Sequence, residues 1–442
     1  MTSASASPFA SSLSFTGPTT YPTGVDPQSV AIGDLNGDGK PDLVTPNGGA
    51  GAVSVLINRG GGTFEPKRAY RAGHEPRSVA LGDLDGDNEP DLVTANGDTD
   101  SVSVLLNRGG AFQPKSDYRV GSYSDPTSVG LGDLNGDGKL DVVTANFADG
   151  GVSALLNAGD GRLEAKTAYR TGCGPWSVAI GDLTGHGKPD LTTANHGANT
   201  VSVLLNRGDG SFRAKRDYTG AEAKSVAIGD LNGDGSPDLA TANYPESCIG
   251  GRNESPCLGF VSVRLNRGDG SFRARRDYRI GAGAEPESVA IGDLNADGKP
   301  DVAAPTNAGL FANTVSVLVN KGDGSFEAKR DYRTGESPWS VAIGDLNGDG
   351  NPDLATANPD AKAVFVLLNT RGLCTAQDVK RKTLRAAKRT LARFNCRVGK
   401  IRRAYSRSYT KGRVISEKPK PGTVLPKRGK VNLVVSRGRR PS

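Results

Sequence analysis

Seven stretches of this 442-residue chain repeat one arrangement of oxygen-bearing side chains around a tight turn. The first, DLNGDGKPD, sets Asp34, Asn36, Asp38 and Asp42 at positions one, three, five and nine. Five further copies carry Asp83, Asp85, Asp87 and Asp91; Asp133, Asn135, Asp137 and Asp141; Asp230, Asn232, Asp234 and Asp238; Asp293, Asn295, Asp297 and Asp301; and Asp345, Asn347, Asp349 and Asp353. Hard oxygen donors at alternating positions, folded about one point, suit Ca2+. Gly39 at position six fits a turn with positive φ. An EF-hand would need Glu at position twelve, where Thr45 stands, and helical flanks where these read as strands. Without metal, carboxylates about 4 Å apart repel by roughly 4 kcal/mol per pair at an effective dielectric near 20. A bound dication reverses that sign, so calcium occupancy and folding are expected to be linked.

The remaining copy, DLTGHGKPD, keeps Asp182 and Asp190 but has Thr184 and His186 at positions three and five. Neutral imidazole is a poor ligand for a hard cation. The expectation is about six calcium sites, with the 182–190 loop weak or empty.

The elements that must position these loops recur with them. The loops start at Asp34, Asp83, Asp133, Asp182, Asp230, Asp293 and Asp345, at intervals of 49, 50, 49, 48, 63 and 52 residues. Each repeat offers a strand such as SVAIGDL, the loop, a second strand such as PDLVTAN and a third such as TVSVLLN. A GDGSF-type turn then leads to a fourth strand carrying an aromatic or Leu and a Tyr six residues on, as in Phe212 and Tyr218. Four short strands per period of about 50 residues is the pattern of a propeller blade. An extra pair, Phe15 and Tyr21, precedes the first loop, while the last repeat lacks its own fourth strand. The N-terminal strand is therefore expected to complete the last blade and remove two open edges. The reading is an all-β, seven-bladed β-propeller over residues 13–372, preceded by a disordered segment at 1–12.

The repeated DxNxDGxxD over residues 13–369 resembles the FG-GAP/VCBS repeat, the blade type of integrin α-chain propellers and of many bacterial extracellular proteins. The resemblance implies that the loops join the first and second strands of each blade on one face and that ligands bind on the opposite face. It also implies a metal-directed backbone carbonyl at position seven: Lys40, Glu89, Lys139, Ser236, Lys299 and Asn351.

On that opposite face, the residue before each repeated Ser-Val varies: Gln28, Arg77, Thr127, Trp176, Lys224, Glu287 and Trp339. The two Trp are the only ones in the chain. Two readings stand for Trp176 and Trp339, a platform for a sugar or peptide or packing onto a neighbouring blade. A longer loop at 244–260 is bracketed by Cys248 and Cys257, a candidate disulfide; Cys374 and Cys396 form a second candidate pair, leaving Cys173 unpaired.

Charge divides the chain. Residues 374–442 hold 22 Lys and Arg against 2 Asp and Glu, a net of +20, while residues 1–373 hold 33 against 46, a net of −13. Leu384, Ala387, Leu391 and Phe394 mark an amphipathic helix, followed by strand-like runs at 412–422 and 430–438. The Cys-bounded helix, the segment PKPGTVL and the closing VNLVVSRG resemble a PASTA domain over 374–438. The reading is a small basic α+β domain at 373–438 with a short tail at 439–442. The resemblance implies cell-wall recognition, and the charge implies a polyanion such as peptidoglycan with anionic glycan. No stacking motif accompanies the charge, which disfavours nucleic acid.

No apolar run is long enough to span a membrane. The N-terminal MTSASASPFASSLSFTG lacks the basic flank and apolar core of a secretory signal, though its small residues are of the kind found around cleavage sites. Weak calcium loops and paired cysteines suit the outside of a cell, so an extracellular or wall-associated place is expected. No catalytic constellation is visible among the three His and the repeated carboxylates. The leading expectation is a binding or adhesion protein with an unknown glycan or protein ligand on the propeller. The alternative is a secreted carbohydrate-active hydrolase or lyase on the same scaffold.

Overall fold

A computed structural model describes residues 13–220, 222–244, 258–282, 285–307, 313–425 and 429–440. The candidate Cys248–Cys257 pair and the segment 1–12 lie outside the described residues. The chain divides into two compact units, Gly17–Leu368 and a second that joins residues up to Thr16 with Asn369 onwards.

The first unit contains seven four-stranded antiparallel sheets. In blade two the strands are Pro76–Gly82, Asp91–Asn96, Ser101–Leu105 and Ser116–Arg119, paired in that order. Burial follows that order. The two middle strands are buried at every residue, because each blade is sandwiched between neighbours, whereas the fourth is largely exposed. Their polar residues are therefore buried along with the apolar ones, Thr94, Asn96, Ser101 and Ser103 among them, and Asn96 meets its need for partners through Ser101 and Ser103. The last sheet is completed from the N-terminus: Thr19–Pro22 pairs with Ala363–Leu367, Tyr21 opposite Val364.

One glycine column closes the ring. Each first strand ends in Gly directly opposite the ninth loop residue, as Gly33 is to Asp42 and Gly344 to Asp353. A Cβ on Gly33 would lie 2.8 Å from Leu81 of the next blade, on Gly132 2.9 Å from Ile180, and on Gly344 3.1 Å from Ile32. The last contact returns to blade one, so the inner strands approach one another all the way round, and only glycine leaves room for the neighbouring Ile or Leu.

The aromatic pairs correct one expectation. Phe64 is not on the fourth strand; it belongs to a small hairpin with Asn58, and the fourth strand is confined to Arg68–Arg71. The same division recurs at Phe112 and at the Asn206–Phe212 bridge. Tyr and Phe instead join adjacent blades edge-to-face, Tyr21 with Phe64 at 5.0 Å and Tyr278 with Phe326 at 5.0 Å. The tight turn folds Phe back, which a six-residue spacing on a straight strand does not reveal.

In the second unit, the helix Leu384–Arg393 starts at Thr383, whose hydroxyl accepts from Ala386 N. Its Ala387 and Leu391 pack with Val414, Val431, Leu433 and Val435 of a three-stranded sheet. The sheet order is Arg397–Ala404, Lys430–Ser436, Val414–Lys418, the first pair parallel and the second antiparallel. Phe394, expected on the apolar face, lies past the helix end and is 44% exposed. The strand Arg397–Ala404 escapes sequence reading because its run RVGKIRRA is dominated by cations. A short ladder pairs Cys374–Thr375 with Val424–Leu425, and Cys374 is disulfide-bonded to Cys396.

Candidate functional site

The acidic loops sit where the first strand of a blade turns into the second. In blade one, Asp34 accepts from Asp38 N at 3.2 Å and Gly39 N at 2.8 Å. Asn36 Oδ1 also accepts from Asp38 N, and Asp38 accepts from Lys40 N at 3.0 Å. These bonds curl the loop into a tight turn. Lys40, whose carbonyl is the expected position-seven donor, also pairs its Nζ with Asp38.

Position nine has a second task. Asp42 is fully buried, one oxygen accepting from Leu35 N at 3.0 Å and the other from Asn58 N at 2.7 Å. Burial pushes its carboxyl up to about 6 against those two bonds, with Asp38 and Asp34 adding to the rise. Asp91, Asp238 and Asp301 are likewise pushed up to about 6 by burial, and Asp141 and Asp190 rise for the same reason. Asn58 in turn donates its amide to Pro41 O and to Leu346 O of the preceding blade. The same bridge ties Asn107 to Leu35, Asn157 to Leu84, Asn206 to Leu134, Asn266 to Leu183 and Asn320 to Leu231. Sequence reasoning missed this asparagine column, although an invariant Asn ending each LLN-type strand was the available signal.

The second loop departs from the pattern at position six. Asn88, with φ 66°, replaces glycine at position six. Asp83, Asp85 and Asp91 each place a carboxylate oxygen within 4.8 Å of the others. Arg108 donates to Asp85 and Asp87 at 2.7 Å each. Asp85 Oδ1 is buried with no hydrogen-bond partner. An all-oxygen donor set of this kind fits a hard metal ion.

In the altered loop, Asp182 accepts from Gly187 N at 2.6 Å, His186 N at 3.2 Å and Thr184 N at 3.1 Å. Those bonds outweigh burial and hold its carboxyl below the usual range. Thr184 Oγ1 stands 3.3 Å from Asp182 and 3.5 Å from Asp190. A hydroxyl therefore spans the two remaining carboxylates, and the turn keeps its shape on backbone bonds.

At the opposite end of the first strands, the variable column converges. Gln28, Arg77, Thr127, Trp176, Lys224, Glu287 and Trp339 line one opening of about 120 Å³, backed by the Ser that follows each. The serines hold the ring: Val129 N donates to Ser78 Oγ and Val30 N to Ser340 Oγ, each from one blade to the next. Trp176 is half-buried and meets Phe147 of the preceding blade edge-on at 5.4 Å and His196 at 6.0 Å, with Lys224 Nζ 5.9 Å over its ring. It is thus braced by a neighbour while still lining the opening. His196 is shifted downward by burial and by Lys224, and its Nδ1 is buried without a partner. Lys224 pairs with Glu287, and Arg77 with Glu75 and Asp125. Cys173 is an exposed thiol.

The FG-GAP-like repeat family matches at residues 47–94, 83–144, 133–193, 182–241, 248–304 and 308–356, and the FG-GAP repeat at 27–56. The PASTA domain matches at 375–437. No curated protein matches the chain. Among solved structures, the chain is similar to BBS1N in a complex with ARL6DN soaked with lead, at 11% identity and a TM-score of 0.54, covering 80% of this chain and 96% of that chain. The mercury-soaked counterpart gives the same identity and coverage with a TM-score of 0.55. At that identity the likeness is one of fold.

Proposed function

The chain belongs to the FG-GAP-like repeat family, and we propose that it is an extracellular, calcium-stabilised binding and adhesion protein with two recognition modules. Its propeller takes a glycan or protein ligand on the face away from the acidic loops, and its PASTA domain holds bacterial cell wall. Repeats and PASTA domain together are those of a non-catalytic binding protein. No helix among the described residues is long and apolar enough to cross a membrane.

The observation that carries the propeller half of this reading is the convergence of seven variable residues, both Trp among them, on one opening. Scaffold positions repeat; these do not, and variation on a repeated frame is how a binding surface is made specific. Calcium belongs to the other end. Positions one, three, five and nine, with the position-seven carbonyl, would hold it in six loops, and the 182–190 loop would hold it weakly or not at all. The buried, unpartnered Asp85 oxygen supports that assignment.

Because both Trp line the opening, intrinsic fluorescence reports on it directly. Titration of the full chain with solubilised cell-wall glycan fragments is expected to give a saturable change, and calorimetry with the same fragments is expected to show binding that Trp176→Ala with Trp339→Ala weakens about 10-fold or more. A flat signal across glycan and peptide fragments would remove the propeller face from the account.

A further inference from the structure

The sheet of the C-terminal unit turns one face to its core and the other to solvent, and the outer face is built for an anion. On the strand Lys430–Ser436, Val431, Leu433 and Val435 are buried, so Lys430, Asn432 and Val434 alternate to the other side. Register brings partners to them from both neighbours. Arg402 and Ser416 flank Val434, and Lys418 lies opposite Asn432. A bulge between Val398 and Ile401 lets Lys400 N donate to Asn432 Oδ1 at 2.7 Å. Gly399 makes that possible, since a Cβ there would fall 2.3 Å from the same oxygen. The Asn432 carbonyl is thereby engaged, and its NH2 is left to donate.

Lys400, Arg402, Ser416, Lys418, Lys430 and Asn432 line a groove of about 780 Å³, which Glu417 also borders. Among the described residues, none of its four cations is ion-paired. Of the two acidic residues at 374–442, Glu417 has both carboxylate oxygens shielded from solvent, with Asp378 as its nearest like charge. The groove therefore offers three ammonium groups, a guanidinium, an amide NH2 and a hydroxyl, with almost no acceptor.

We infer that this groove binds a flexible, non-aromatic polymer carrying phosphodiester groups, of the polyol-phosphate type. The inference rests on the wall-binding reading above and names the polymer and the face. A phosphodiester presents acceptors only, which a lining dominated by four cations and an amide NH2 satisfies. An uncharged glycan strand needs acceptors as well as donors. No aromatic lines the groove, so nothing there stacks a base, as single-stranded nucleic acid recognition requires. Three of the four cations are lysines, point charges that tolerate the variable geometry of a flexible chain.

The test uses the full chain and soluble poly(glycerol phosphate), with binding measured over a series of salt concentrations. Lys400→Gln, Arg402→Gln, Lys418→Gln and Lys430→Gln combined are expected to weaken binding by about 30-fold or more and to flatten the slope of log Kd against log salt. Arg385→Gln, Lys388→Gln, Arg389→Gln and Arg393→Gln on the helix remove the same charge, and are expected to cost less than about threefold. Asn432→Asp keeps the bond from Lys400 N but adds a carboxylate, and should weaken binding about 10-fold. Equal losses in groove and helix variants would overturn the site. Equal binding of polyglutamate, or tighter binding of a single-stranded DNA oligomer, would overturn the ligand class. Sedimentation with intact sacculi and with sacculi stripped of phosphate polymers separates this claim from the wall-binding reading. Retention on both, without affinity for the soluble polymer, overturns the groove assignment alone; retention on neither, with affinity for the polymer, overturns the wall reading alone.

Discussion

At the scale of single residues, the loop carboxylates are caught between two demands. Asp42, Asp91, Asp238 and Asp301 are buried and pushed up to about 6, whereas an unfolded chain releases those protons near pH 4. Between those values the folded, metal-free protein binds more protons than the unfolded one, so its stability falls as pH rises through the window. His196, shifted downward, acts in the opposite sense but is a single group. Chelated protein is therefore expected to melt at a higher temperature at pH 5 than at pH 7.5. In excess calcium the order should invert, because the ion requires the ionised form. A chelated melting temperature that drops on acidification would contradict this. His186 gives the matching gain-of-site prediction. Calorimetry should count six calcium ions in the parent and seven in His186→Asp, and seven in the parent would refute the altered loop's assignment. The repeated turn was legible in the sequence because charge, spacing and glycine coincide within nine residues. The second role of Asp42, accepting from Asn58 sixteen residues away, was not, since no local pattern encodes it.

At the scale of elements, strands were legible wherever burial left an apolar run, and illegible where it did not. DLVTAN announces a strand buried on both sides; RVGKIRRA, an exposed strand of cations, does not. Phe64 was placed on the wrong element because linear spacing cannot show that a glycine turn folds it back. Both Trp fell in a variable column, but their meeting at one opening depends on ring closure across more than 160 residues of chain. What joins the elements is the asparagine bridge. Asn107 is fully buried and donates to Leu35 O at 2.8 Å and Pro90 O at 3.0 Å, linking blade two to the loop of blade one. Asn107→Ala orphans two carbonyls and should lower stability by about 3 kcal/mol in denaturant unfolding. A loss below about 0.5 kcal/mol would show that the blades are held without it.

At the scale of the whole molecule, the chain is built from two units of opposite charge. The propeller unit is acidic through its loops, a property that calcium would neutralise, and its ring is closed by its own N-terminal strand. The C-terminal unit is small, strongly basic and tied by Cys374–Cys396 across 22 residues. Such a division fits a protein that grips a polyanionic surface with one module and presents another to a ligand. The most direct measurement is the fraction of full-length protein that sediments with purified, intact bacterial sacculi in millimolar calcium. The account predicts that most of the protein enters the pellet and that rising salt releases it. Protein that stays in the supernatant at physiological salt, while folded and calcium-loaded, would contradict it.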